Sequence, residues 1–330
     1  MEFPSKTQNP LVEARAGGRV LELFESPLHA KVLRAHAAGP CRLSGLREGL
    51  GWWPEATVRG ALQRLQECDG LVKNRAEGQS NAVETALGPA GPDLLRVAKA
   101  LEAWLAECPR GPIALESDHA KVAVKALAGG WTSSLMHAVG AGSRTLTELS
   151  NQIPEISYPA LERRIAWMRA TGQIEALPKE PRGTPYIATD WLRRAIAPLA
   201  IASRCERRCM EDNPPITGVE VETSFLFSLP MARLPEEASG TCTMAAQTES
   251  ADYDGQLPLA GVTVEVSRGE VITCSVHIEP KPVTLVVGTA TDWLEATIDG
   301  RFEILRIGGA DPQLAADLVA GLRSALFIDR

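Results

Sequence analysis

A shift of 103 residues lays the apolar pattern of this chain on itself. Val32-Leu33 falls on Leu135-Met136, Leu43 on Leu146, Leu46 on Leu149, Val58 on Leu161, Leu62 on Ile165 and Leu65 on Met168. Seven core positions keep one register without a gap. Past the third helix the shift slips to about 101, so that Gly91 meets Leu192, and turns are where a change of length costs least. Residues 1–110 and 111–212 therefore read as two copies of one module.

The first copy opens with an apolar stretch from Leu11 to Phe24, interrupted by Gly17-Gly18. Ser26-Pro27 restarts the chain, and Leu28, Val32, Leu33 and His36 recur at helical spacing until Gly39-Pro40. A short helix over Leu43 to Leu50 and a turn at Gly51-Trp52-Trp53-Pro54 follow. Val58, Leu62 and Leu65 then form the stripe of a third helix. Residues 71–75, 76–81 and 82–87 read as strand, loop and strand, the form of a β-hairpin wing. Gly91-Pro92 begins a helix reaching about Glu107, whose Leu94, Leu95, Ala98, Leu101, Trp104 and Leu105 make a face wide enough for a partner helix as well as its own core.

The most informative stretch of the second copy is Ile156–Gly172. Ser157 is placed to accept from the free amides of a first helical turn, and Pro159 is tolerated there. Leu161, Ile165 and Met168 bury one stripe, whereas Tyr158, Glu162, Arg163 and Arg169 lie off it. Gly172 ends the helix in the left-handed conformation, and residues 173–177 read as a strand. Helix, tight stop and strand suggest a winged helix with Ile156–Gly172 as its DNA recognition helix. The competing reading is a solvated surface helix. A long helix from Thr189 to about Met210 carries Arg193, Arg194, Arg204, Arg207 and Arg208, and Asn213-Pro214-Pro215 marks a linker over 213–217.

Residues 218–330 change character. Val219, Val221, Thr223, Phe225 and Phe227 alternate as a strand does, and so do Val262, Val264 and Val266. After Ser267-Arg268-Gly269-Glu270 the alternation resumes at Ile272, Cys274, Val276 and Ile278, a hairpin. Val283–Val287 is a further strand, Thr291 caps a short helix, Phe302–Ile307 is a strand and Pro312–Phe327 a closing helix. The expected fold class is α+β and multidomain: two mainly helical winged modules followed by a strand-rich α+β domain.

The net charge of −7 is divided unevenly: 27 Lys+Arg face 22 Asp+Glu up to Met210, and 7 face 19 beyond it. A mildly basic front fits phosphate contacts by that part alone. Seven cysteines at irregular spacing, with no apolar leader or span, fit a reducing cytoplasm and no membrane. Cys205 and Cys209 stand four apart on a helix but lack further ligands for a metal. The five histidines are scattered and no glycine loop cradles phosphate, so neither an enzyme nor a cofactor is expected.

The second copy resembles the HxlR-type winged helix-turn-helix transcriptional regulators. The likeness runs through Gly130-Trp131-Thr132, Arg144-Thr145-Leu146-Thr147-Glu148-Leu149, Ile156-Ser157, Leu161, Arg164-Ile165 and Gly172, then Tyr186, Thr189, Arg193 and Pro198. The first copy keeps Gly39-Pro40, Arg42-Leu43-Ser44, Leu46, Gly70-Leu71-Val72, Leu87 and Pro89-Ala90-Gly91, with Pro54-Glu55 where the second has Ser157-Tyr158. Members of that family act as homodimers on double-stranded DNA. The resemblance implies that two fused modules supply the pair of recognition helices as a pseudo-dimer, the helices near 92–107 and 189–210 forming the seam. The chain itself would be a monomer or homodimer. Implied DNA contacts are Arg59, Gln63 and Arg64 in the first copy, Ser157, Tyr158, Glu162 and Arg163 in the second, and Lys73, Asn74, Arg75, Lys179 and Arg182 in the wings. Glu116-Ser117-Asp118 stands where many members carry a sensing cysteine, which argues against thiol sensing there.

Residues 218–330 resemble a sterol-carrier-protein-like domain through the hairpin, Asp292-Trp293-Leu294, Gly300, Phe302–Ile307 and the final helix. Such a domain implies an apolar tunnel, here lined by Phe225, Phe227, Val264, Cys274, Val276, Leu285 and Trp293, for an apolar or aromatic effector. Residues of this kind more often simply fill a core. A second class of function stays open: sequestering a small molecule, or adapting between proteins, with little or no DNA binding.

Overall fold

The computed structural model describes residues 15–51, 53–75, 83–129, 132–179, 181, 183–249 and 259–327. In the first copy, α1 (Gly18–Leu23), α2 (Pro27–Ala37), α3 (Leu43–Leu50) and α4 (Glu55–Glu67) are followed by the hairpin β2 (Leu71–Arg75) and β3 (Val83–Leu87). The two-residue strand β1 (Cys41–Arg42) pairs with β3, giving the order β1-β3-β2. Pro27 and the burial of Leu28, Val32 and Leu33 fix α2, and Val58, Leu62 and Leu65 seat α4 against it. Residues 11–14 and the expected wing loop 76–81 lie outside the described residues, and α1 starts at Gly18 after the left-handed Gly17, φ 81°. Helix α5 (Gly91–Ala106) buries Leu94, Val97, Ala98, Leu101, Trp104 and Leu105.

The second copy repeats the order of elements. After α6 (Asp118–Ala128) come α7 (Thr132–Gly140), β4 (Arg144–Thr145), α8 (Leu146–Gln152), α9 (Tyr158–Thr171), β5 (Ile174–Ala176) and β6 (Pro185–Ala188). Its sheet has the order β4-β6-β5, the same arrangement as in the first copy. Thr145 and Glu148 form a reciprocal capping box that starts α8. Gly172, at φ 83°, stops α9 where an L side chain would be strained. The expected single helix over 189–210 is instead α10 (Asp190–Arg194) and α11 (Ile196–Cys209), separated at Ala195. Pro198 is the physical reason, since it has no N–H to donate to the carbonyl four residues back.

Helices α5 and α11 pack antiparallel. Just before α11, Trp191 of α10 stacks on Trp104 with centroids 4.5 Å apart, and each indole N–H donates to the other residue's carbonyl, at 2.8 and 2.7 Å. At the other end Cys209 meets Asp93.

Residues 219–227 are not a strand but lie in helix α12 (Gly218–Ser228), started by a capping box between Thr217 and Glu220. Both sides of α12 are buried, one against α7 and the other against the rear sheet. A helix covered on opposite faces loses its apolar stripe, and its residues then imitate a period of two.

Strands β7 (Gly240–Gln247), β8 (Leu259–Ser267), β9 (Glu270–Ser275), β10 (Thr284–Thr289) and β11 (Arg306–Gly309) form a sheet in the order β11-β10-β7-β8-β9. Only the β7–β10 pair is parallel among these neighbours. The β8–β9 hairpin is as expected, with Arg268 and Gly269 at φ 51° and 74° in its two-residue turn. It ends at Ser275, short of Val276 and Ile278. Register puts Cys242 beside Val264, and Met244 beside Val262 and Val286, so these buried residues share one face. Exposed Glu265, Thr273 and Ser275 share the other. Helices α13 (Ala290–Asp299) and α14 (Pro312–Leu326) pack on the sheet. The cap of α13 is Thr289 rather than Thr291, because Thr289 reaches the Asp292 amide in a reciprocal box. Most of the expected 302–307 strand is a turn of 3-10 helix over Phe302–Ile304, with pairing confined to Arg306–Gly309.

Candidate nucleic-acid interface and ligand cavity

Helix α9 has one buried side and one free side. Leu161, Ile165 and Met168 are buried, while Ser157, Tyr158, Glu162, Arg163 and Arg169 are exposed. Ser157 differs from expectation: its side chain makes no cap hydrogen bond, and its carbonyl receives the Ala160 and Leu161 amides. Tyr158 and Trp167 are 47% and 44% exposed, a high figure for rings of that size. Arg163 lies over the Trp167 ring at 6.0 Å, and Arg169 over Tyr186 at 5.8 Å. Arg164 has a different role. It is buried, donates to the Ala126 carbonyl and to Thr132 Oγ1, and burial pushes its guanidinium down to about 10, with Arg15 acting in the same direction. It fastens α9 to α6.

In the first copy Arg59, Gln63 and Arg64 are also exposed along α4. Glu55 takes Arg59 at 2.7 Å and Arg47 at 2.7 Å, and Gln63 donates to Glu67 at 2.9 Å. The Arg59 and Arg47 guanidiniums hold the Glu55 carboxyl below its ordinary range. Lys73, Asn74 and Lys179 are exposed on or beside the hairpins. Arg75 ends β2, and Arg182 falls outside the described residues, as does Trp131.

The seven residues expected to line an apolar tunnel are not gathered around one space. Phe225 and Trp293 meet edge to face, centroids 4.9 Å apart, at a cavity of about 90 Å³ between α11, α12, α13 and α14. Phe227 points the other way: Arg193 sits over its ring at 5.4 Å, and a Cβ on Gly140 of α7 would strike it. Val264 and Cys274 are cross-strand neighbours on the covered face, where burial pushes the Cys274 thiol up to about 12. Leu285 pairs with Thr243 on the opposite face, and Val276 is exposed beyond the end of β9. Period-two alternation explains the Leu285 error, since Val286 holds the inward position.

Three charged groups that sequence reasoning did not single out lie where the parts meet. Arg15 is buried, donates to the Leu127 carbonyl at 3.0 Å and lies 4.0 Å from Glu220; burial pushes it down to about 10. Glu220 accepts the Ala16 amide at 3.1 Å as well as closing its own capping box. Glu206 on α11 is 1% exposed and faces the Gly17 and Arg19 amides without a well-aligned hydrogen bond, with Arg19 at 3.8 Å. Burial pushes its carboxyl up to about 7. Of these, only the Thr217-x-x-Glu220 box is readable from spacing.

Among the described residues no group of three or more His, Cys, Asp or Glu is placed to hold a metal, and no helix is long and apolar enough to cross a membrane. Burial raises the thiols of Cys205 and Cys209 above the ordinary thiol range. Comparison of the chain with protein-family models gives no match, and comparison with curated proteins gives none either.

Proposed function

We propose that this chain is a cytoplasmic DNA-binding transcriptional regulator, not an enzyme, in which two fused winged-helix modules work as an intrachain pseudo-dimer. In this reading α4 and α9 enter successive major grooves and the two hairpins flank them as wings. Residues 218–330 form a sterol-carrier-protein-like domain through which an apolar small molecule changes DNA affinity, by binding the two states unequally. The observation that carries the reading is α9, whose apolar side and Arg164 are fixed in the fold while Ser157, Tyr158, Glu162 and Arg163 stand exposed. The test is Arg163→Glu, measured by mobility shift on oligonucleotides enriched with the full chain. Affinity is expected to fall at least about tenfold with an unaltered melting temperature, since one bidentate arginine contact contributes about 1–3 kcal/mol. Unchanged affinity would remove α9 from the interface.

One observation favours a second reading, a sequestering or adaptor protein with weak or no DNA binding. Two of the three candidate readers on α4, Arg59 and Gln63, are engaged by carboxylates of their own helix. Enrichment that returns random sequence would select that reading.

A further inference from the structure

A groove of about 600 Å³ runs along the seam, walled by α5 on one side, α11 on the other, and closed by α13 and the end of α14. Its size is that of a small-molecule site, roughly 300–1,000 Å³. The floor is apolar: Ala100, Ala197, Ile201, Leu326 and Phe327 are half-buried there, and Ala103 is exposed. Among the described residues lining it, five are Lys or Arg and two are Asp or Glu. In a chain of net charge −7 that excess is local and not a background property.

Ion pairing divides the rim into used and unused charge. Arg194 is taken by Glu107 at 2.6 Å, and the buried Arg204 by Asp299 at 2.5 Å. Arg96 has only a loose contact with Asp93 of its own helix, at 3.6 Å, and Lys99 has no ion pair among the described residues. Lys99 is exposed on the α5 rim, one turn from the apolar floor at Ala103. A cation pair beside a half-exposed apolar trough complements a molecule with one anionic head and an apolar body. Covering the trough removes apolar area from water, and the Arg96–Lys99 edge selects the sign of the head group.

We infer that this seam groove binds an anionic amphiphile of the alkyl-carboxylate class, its carboxylate at Lys99 and Arg96 and its chain along α11. The site is distinct from the small cavity at Phe225 and Trp293. Because α5, α11 and the rear helices all supply walls, an occupant bridges both copies and the rear part at once. Binding here is independent of DNA reading, so a chain that takes the amphiphile and no DNA leaves the inference standing and removes only the regulator.

The experiment is calorimetric titration of the full chain with monomeric dodecanoate, with dodecyltrimethylammonium, and with phosphatidylglycerol vesicles as a source of anionic head groups in a bilayer. Dodecanoate is expected to bind one to one, and the cationic analogue at least tenfold more weakly. Lys99→Glu should weaken dodecanoate at least tenfold. Ala103→Trp, which fills the trough from an exposed position, should abolish binding; melting temperatures report that both variants are folded. Equal affinity for the cationic amphiphile, binding to vesicles alone, or dodecanoate binding unchanged in both folded variants would overturn the inference.

Discussion

Neighbouring arginines on α9 show how little residue type says about role. Arg163 is exposed beside Trp167, whereas Arg164, one step around the helix, is buried against the Ala126 carbonyl and Thr132. Replacing Arg164 by Ala leaves buried acceptors unmade and a cavity, so a loss of about 2–4 kcal/mol in denaturant unfolding is expected. A loss below about 0.5 kcal/mol would show that Arg164 does not fasten α9 to α6. Glu206 gives a pH signature. Its folded carboxyl titrates near 7, above the ordinary carboxylate value, so the unfolded chain releases this proton first as pH rises. The stability associated with protonated Glu206 is therefore complete below about pH 4.5 and declines until about pH 7, by about 3 kcal/mol at most. Glu206→Gln should raise the melting temperature at about pH 8, leave it nearly unchanged at about pH 4.5, and flatten the difference between the two. A parallel shift at both values would mean the carboxyl titrates normally.

At the scale of elements, what was legible depended on whether one face met water. Helices α2, α4, α5 and α9 each bury one stripe, and their spacing in the chain identified them. Helix α12 did not announce itself, because α7 and the rear sheet cover it on opposite sides and Phe225 and Phe227 both go inside. Strand β7 was missed altogether: Gly240-Thr241-Cys242-Thr243-Met244-Ala245-Ala246 is a central strand of small and polar residues whose burial comes from its neighbours. Its partner β8 was evident from Val262, Val264 and Val266. The candidate tunnel failed for the same reason, since it was assembled from residues assigned to the wrong element or the wrong face. The box at Thr217 and Glu220 was the local signal that contradicts a strand at 219–227. Thr217→Ala is expected to cost about 1 kcal/mol in denaturant unfolding, and no change would indicate that burial alone holds α12.

Over the whole molecule, the uneven charge seen in the sequence is partly consumed inside the fold. Arg204, Arg207 and Arg208 of α11 pair with Asp299, Glu249 and Glu295 of the acidic rear. Helix α11, expected only at the seam, thereby also joins the second copy to the C-terminal part. Outward-facing residues include those of α9, the exposed side of α4, the hairpin residues Lys73, Asn74 and Lys179, and Arg96 and Lys99 of α5. Two copies with the same strand order, joined through α5 and α11, are the basis for proposing one chain with two unlike readers. The most direct measurement is hydroxyl-radical footprinting of the full chain on an enriched duplex, with binding stoichiometry taken in parallel. One chain per duplex protecting two half-sites of different sequence, about one helical turn apart on the same DNA face, is the result expected. Protection of a single groove, two chains on a symmetric site, or no protected sequence would contradict the account.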